Sequence, residues 1–391
     1  YSGVADSARR NTHLVGAVSG LSRREFVASA TSAAAAACAY PTPAQPQAVA
    51  ASLDALARTK GLRFGSAMSF RELSDPAFCT LMRTECGVMV TENELKWPQV
   101  QPAPDSFTFA QGDALAGFAR DSNLLLRGHN LLWQKTKYMP GWVNAYDFGS
   151  RPRASAEALL HKHIVAEMQH YPQVTSWDVV NEAIDTDTGT PRETVFTRAM
   201  GPEAIDFTYR VARETAPHAQ LVYNDYMTWE NYSATHRAGV LRFLETMKKR
   251  AVPIDALGLQ SHIGANNNLQ SNRFGMPQET EWRRFLDEVT GMGYALLITE
   301  FDVNDDGLPD DVAARDRVVA DYARSYLDVT LSYPQAKQVL TWGLVDSHSW
   351  LQSRFPRPSG LAKRPLPYDA SYRPKPLREA IAAAFRAAPA R

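Results

Sequence analysis

Between residues 53 and 344 the chain repeats one pattern eight times, a short apolar run followed by a longer stretch. The apolar runs fall at 63–68, 88–92, 124–130, 175–181, 221–225, 256–262, 295–300 and 338–344. Apolar residues at helical spacing occupy 156–170, 202–216, 233–250, 279–292 and 311–332 between them. Strands covered on both faces read as continuous apolar runs, and parallel strands need a crossover between them, usually a helix. Eight such units without a break in composition predict one α/β domain over 51–391, an eight-stranded parallel (β/α)8 TIM barrel. The chain has 391 residues, 45% of them hydrophobic, enough to fill that core as a single domain.

A barrel of this kind does its chemistry at the C-terminal tips of the strands, so the residues that end each run matter most. In order they are Gly65-Ser66-Ala67; Glu92-Asn93, then Lys96-Trp97; Arg127-Gly128-His129-Asn130, with Trp133 beyond; and Asn181-Glu182. There follow Asn224-Asp225-Tyr226, Gln260-Ser261-His262, Glu300 with Asp302, and Trp342 with Asp346 and Trp350 after it. A single polar strand tip is as readily a cap for a neighbouring helix. A scaffold has no reason to gather all of these on one rim, and together they describe a polar cleft walled by aromatic rings. Sugars present hydroxyls to amides and acids, and apolar C–H faces to indoles. Cleaving a glycosidic bond takes one carboxylic acid at the leaving oxygen and one carboxylate at the anomeric carbon. Glu182 and Glu300, at two strand tips, meet that need.

Seven stretches in order carry a resemblance. They are Glu92-Asn93-x-x-Lys96-Trp97, Arg127-Gly128-His129, Trp177-Asp178-Val179-Val180-Asn181-Glu182-Ala183, Asn224-Asp225-Tyr226, Gln260-Ser261-His262, Ile298-Thr299-Glu300-Phe301-Asp302 and Thr341-Trp342-Gly343. Together they resemble glycoside hydrolase family 10, the endo-β-1,4-xylanases. The resemblance implies a retaining hydrolase of xylan and xylo-oligosaccharides that needs no cofactor and no metal. Glu182 would be its general acid/base and Glu300 its nucleophile. Asn181 would bind the 2-hydroxyl of the sugar being cleaved, and His262, paired with Asp302, would orient Glu300. Glu92, Asn93, Lys96, His129, Trp133 and Gln260 would line the subsites before the scissile bond. Trp342 and Trp350 would form the stacking wall, and Tyr226 would lie towards the leaving group. One stretch departs from the family. Where Trp-His-Ser-Gln is usual, this chain has Trp133-Gln134-Lys135-Thr136, which places Gln134 and Thr136 on the cleft wall in place of an imidazole and an amide. Two other readings of the rim stand beside this one. A barrel hydrolase of cellulose or mixed-linkage glucan differs only in admitting an exocyclic CH₂OH, and a non-catalytic glycan-binding barrel would have no use for both glutamates.

Other classes fit less well. Lysines and arginines number 42 and aspartates and glutamates 42, a zero formal charge that argues against a nucleic-acid partner. There is no glycine-rich phosphate loop, nucleophile elbow or dinucleotide fingerprint. Asp302-x-Asn304-x-Asp306-Gly307 imitates the start of a calcium loop, but the twelfth position, where that loop needs a glutamate, is Ala313. His163, Glu167 and His170 share a helix face that is expected to be solvated rather than metal-binding. Cys79 and Cys86, about 10 Å apart on a helix, are too far for a disulfide and are expected to face the core as thiols. Residues 1–50 read as an export segment: Ser22-Arg23-Arg24-Glu25-Phe26-Val27 is a twin-arginine pattern, followed by an alanine-rich run, prolines and Ala48-Val49-Ala50 as a cleavage site. The run is too short and too weakly apolar to span a bilayer, and Cys38 is the one candidate for lipid attachment. The expectation is a monomer, periplasmic or secreted, with a polysaccharide as its partner.

Overall fold

Nearly every residue of the strand runs is buried, which is what a sheet covered on both faces requires. The computed structural model describes residues 51–265 and 274–391. The Arg23-Arg24 pair and Cys38 lie outside the described residues. Among the described residues nine strands form the sheet: β1 Arg63–Met68, β2 Val88–Thr91, β3 Leu125–Trp133, β4 Ser176–Asn181, β5 Gln220–Asp225, β6 Ala256–Leu259, β7 His262–Gly264, β8 Ala295–Asn304 and β9 Ala336–Thr341. All pairings are parallel. The sheet closes on itself where Phe64 of β1 meets Val339 of β9 and Leu257 of β6 meets Leu296 of β8. Eight of the strands make the barrel, and β7 is a short extension beside the end of β8.

The sixth apolar run therefore breaks in two. Ser261 adopts φ +63° between β6 and β7, and the chain turns there before His262 pairs with Asp302 of β8. That turn sets His262 beside the tip of β8 rather than in line with β6. The seventh run extends four residues further than its apolar sequence, through Phe301 to Asn304.

Helices cover the outside of the ring, among them Pro152–His170, Glu203–Thr215, Ala234–Lys249, Glu279–Gly291 and Val312–Thr330. The two ends of the domain are tied together. Glu85, at the end of helix Pro76–Glu85, takes a hydrogen bond from the backbone of Leu53 at 2.7 Å and pairs with Arg378 of helix Pro376–Ala387 at 2.8 Å. Cys79 and Cys86 are buried free thiols, as their spacing requires.

The face shared by His163 and Glu167 is not solvated. Both side chains have no exposed surface, and only His170 stays near water, 2.7 Å from Asp113. The cause is a second layer over helix Pro152–His170. The loop after β2 lays Trp97 flat on His163, ring centroids 3.9 Å apart, and Phe196 stacks against Trp97 at 5.6 Å. Burial lowers His163 to about 3 and raises Glu167 well above the ordinary carboxylate range, so both are neutral in the fold.

The calcium-like run is also accounted for. Its side chains diverge: Asp302 turns to His262, while Asn304 and Asp306 receive the Lys363 ammonium at 2.5 and 2.6 Å. An ammonium thus stands where the pattern would have held a cation. No cluster of acids, histidines or cysteines suited to a metal occurs among the described residues, and no helix among them is long and apolar enough to cross a membrane.

Candidate active site

Glu300 and Glu182 rise from tips of different strands and are joined by a chain of amides. Asn224, at the end of β5, donates from Nδ2 to Glu300 Oε1 at 2.8 Å, and the same Nδ2 lies 2.9 Å from the Asn181 carboxamide. Gln260 Nε2 reaches Asn181 at 3.3 Å and Glu182 Oε1 at 3.1 Å. Trp133 Nε1 lies 3.2 Å from the other edge of the Asn181 amide. Each carboxylate is therefore fixed by neighbours that are themselves fixed, the arrangement that precise catalytic geometry demands. Gly258 makes room for it. A methyl group at that position would fall 2.3 Å from Asn224 Oδ1, and the path from β5 to Glu300 would close.

Glu300 is nearly buried. Burial alone would raise its carboxyl, but the His262 hydrogen bond, the His129 and His262 imidazoles and the Lys96 ammonium overrule it and hold it down to about 2. His262 Nε2 lies 3.1 Å from Glu300 Oε2 and its Nδ1 3.0 Å from Asp302 Oδ1. Burial works against its charge, but Asp302 and Glu300 prevail and raise it to about 10, so an imidazolium stands over the ionised Glu300. Asp302 holds Trp350 as well, accepting from its indole Nε1 at 2.8 Å. On the other side His129 Nδ1 lies 2.9 Å from Asp178 and 3.9 Å from Glu300 Oε1, and Arg127 anchors Asp178 at 2.5 Å.

Glu182 follows β4 with φ +56°, left-handed backbone that a non-glycine residue adopts at some cost. Its Oε1 faces Gln260 and Asn181, and its Oε2 contacts the Lys135 ammonium. Lys135 also donates to the Tyr226 hydroxyl at 3.2 Å, and Arg192 donates to that hydroxyl at 3.1 Å. Lys96 Nζ donates to Asn93 Oδ1 at 3.0 Å and stands over the Trp133 and Trp342 rings, 5.0 and 5.8 Å from their centroids. Glu92, Asn93 and Trp350 border a cavity of about 440 Å³ on the far side of this cluster. These contacts bring Trp133, Asn181, Glu182, Gln260, His262, Glu300 and Asp302 together, whereas Asp225 turns to His236 at 3.1 Å and Asp346 to Lys375 at 2.9 Å.

Lys135 and Arg192 escaped the sequence reading, and the two residues that flank Lys135 differ in exposure. Gln134 has no exposed surface; its side chain accepts from Thr194 Oγ1 at 3.0 Å and pins the loop after β3 to the loop after β4. Gln134 and Thr136 both border the cavity that opens beside Lys135. Thr136 is exposed at the start of the short 3-10 helix Thr136–Tyr138. The residue between them reaches the acid. Asn224 stood in a quoted motif, but its role as the link between Glu300 and Asn181 appears only once β5 and β8 are placed.

A closed parallel barrel with two buried, separately held glutamates among amides and indoles is a barrel glycoside hydrolase. The model of Glycosyl hydrolase family 10 matches residues 52–384, and the chain belongs to that family. It is 32% identical over 345 residues to endo-1,4-beta-xylanase D of Talaromyces funiculosus, covering 86% of this chain and 78% of the relative. Among solved structures it is similar to native xylanase 10B from Thermotoga maritima, with 30% identity, a TM-score of 0.75 and coverage of 85% of this chain and 98% of that one. Xylanase 10B from Thermotoga petrophila RKU-1 in complex with xylobiose gives 30% identity, a TM-score of 0.75 and coverage of 88% and 98%.

Proposed function

We propose that the chain is a retaining endo-β-1,4-xylanase in which Glu300 is the nucleophile and Glu182 the general acid/base. The observation that carries the division of labour is the environment of Glu300. A carboxylate held ionised by an imidazolium and by Asn224 suits attack on an anomeric carbon and does not suit giving up a proton. In the first step Glu300 Oε forms a bond to the anomeric carbon while Glu182 delivers its proton to the departing oxygen. In the second, Glu182 takes a proton from water, the water oxygen bonds to the anomeric carbon, and the ester to Glu300 breaks. The 2-hydroxyl beside that carbon we assign to Asn181, whose amide is wedged among Asn224, Gln260 and Trp133.

Xylan as the substrate rests on family membership and on the xylanases to which the chain is similar. Incubation with unsubstituted xylan, arabinoxylan and carboxymethyl-cellulose side by side, with chromatography of the products, tests it. Short xylo-oligosaccharides from the xylans, with carboxymethyl-cellulose left intact, are the expected result. Release of cello-oligosaccharides at comparable rates would move the assignment to another β-1,4-glycan. We also read residues 1–50 as a twin-arginine export segment, on the strength of Arg23-Arg24 and the alanine run after it.

A further inference from the structure

Beside Lys135, the residue that contacts Glu182, a cavity of about 520 Å³ opens between the loops after β3 and β4. Lys135, Lys137, Asp185, Arg192 and Glu193 supply the charges on its wall. Arg192 is balanced by Asp185 at 2.7 Å, and Glu193 pairs with Arg198 at 3.1 Å. Lys137 has no carboxylate partner among the described residues and rests over the Tyr138 ring, 5.5 Å from its centroid. Lys135 is balanced by Glu182 itself. Burial opposes its charge, but Glu182 and Tyr226 prevail and raise its pKa, so it stays an ammonium.

That pairing creates a demand. To protonate a leaving group, Glu182 must first carry the proton, and a neutral carboxyl no longer balances Lys135. The wall then holds two cations without counter-charge, one of them half-buried, where an unpaired charge is unfavourable. Arg192 Nε, buried and without a partner, adds an unsatisfied donor on the same wall. A substrate anion would meet all three.

We propose that this cavity is a leaving-group subsite that selects a sugar bearing a carboxylate, a uronate substituent on the β-1,4-linked chain, with Lys135 as its anchor. The proposal rests on the hydrolase reading above and specifies the substrate of that same site. A volume of this size lies within the ordinary range for small-molecule sites, about 300–1,000 Å³.

The test compares kcat/KM for a linear xylo-oligosaccharide and for the same oligosaccharide carrying one glucuronate. Wild type should favour the acidic substrate by about tenfold, as a charge-assisted contact implies, and the ratio should fall as salt is raised. Lys135→Met should bring the ratio to about one, and Lys135→Arg, which keeps the charge, should retain most of it. If Lys135→Met is inactive on both, affinities of the two oligosaccharides for Glu300→Gln, with and without Lys135→Met, give the same comparison without turnover. Equal efficiency of wild type on both substrates, or a preference that survives Lys135→Met, would overturn the uronate subsite alone. Failure of wild type to cleave either oligosaccharide would instead overturn the xylan reading beneath it.

Discussion

Asp302 divides its two oxygens between the nucleophile's imidazolium and the indole of Trp350, so one buried carboxylate sets both the charge and the wall of the cleft. Its removal has a specific consequence. His262 is charged up to about pH 10 because Asp302 and Glu300 outweigh its burial. In Asp302→Asn the imidazole loses its largest support and returns towards or below its ordinary value of about 6.5. It should then titrate within the working range. The kcat/KM–pH profile of the variant should show an ionisation between about pH 5 and 8 that wild type lacks, with a lower plateau, by about 10²-fold, on its alkaline side. A profile lowered uniformly and unchanged in shape would make Asp302 a packing residue only. Gly258→Ala tests the next link, because the added methyl must displace Asn224 from Glu300. Its kcat should fall more than tenfold while KM moves little. At this scale the sequence was legible wherever a strand end carries the group, as Asn181 ends β4 with Glu182 next to it and Glu300 lies on β8. Lys135 was not legible. Which of Gln134, Lys135 and Thr136 faces the acid depends on the turn after β3, and the residue types alone do not tell a buried amide from a cleft ammonium.

At the scale of elements, helix Pro152–His170 carries the clearest penalty in the fold. Neither oxygen of Glu167 has a hydrogen-bond partner, and burial keeps its proton on. The folded state therefore binds a proton that the unfolded chain gives up near pH 4.5. That contribution to stability is complete below this value and declines as pH rises, by up to about 1.4 kcal/mol per unit. His163 works in the opposite sense. Its folded value of about 3 lies below the ordinary 6.5, so its contribution is present above 6.5 and is lost as pH falls towards 3. Glu167→Gln should leave stability at pH 5 close to wild type and raise it at pH 8, read from urea unfolding at both values. Equal shifts at both would show that Glu167 does not titrate with folding. This face also marks a limit of periodicity. Spacing put His163 and Glu167 on one side of a helix outside the barrel, and it could not show that Trp97, with Phe196 stacked against it, would come over His163. The strand starts were legible to within three residues because apolar runs that are buried on both faces have sharp edges. The break at Ser261 was not, since a positive φ at a serine leaves no mark in hydropathy.

Across the whole molecule, barrel closure is what turns a list of strand tips into a site. Asn181, Glu182, Asn224, Gln260 and Glu300 are spread over 120 positions of sequence and meet only because β4, β5, β6 and β8 are neighbours in the ring. Outside that ring the export reading has its own test. Replacement of Arg23 and Arg24 by lysine should leave active enzyme in the cytoplasm of an expressing bacterium, and normal export of the double variant would discard the twin-arginine assignment while leaving the hydrolase untouched. The central claim is the division of labour between the two glutamates, and azide rescue tests it most directly. Glu182→Ala should still form the glycosyl ester from a dinitrophenyl glycoside, whose leaving group needs no proton, giving a burst and then a stall. Azide should enter the vacated space, restore turnover and yield the β-glycosyl azide. Glu300→Ala should fail on natural and activated substrates alike. Azide rescue of Glu300→Ala but not of Glu182→Ala, with an α-glycosyl azide as product, would contradict the account and exchange the two roles.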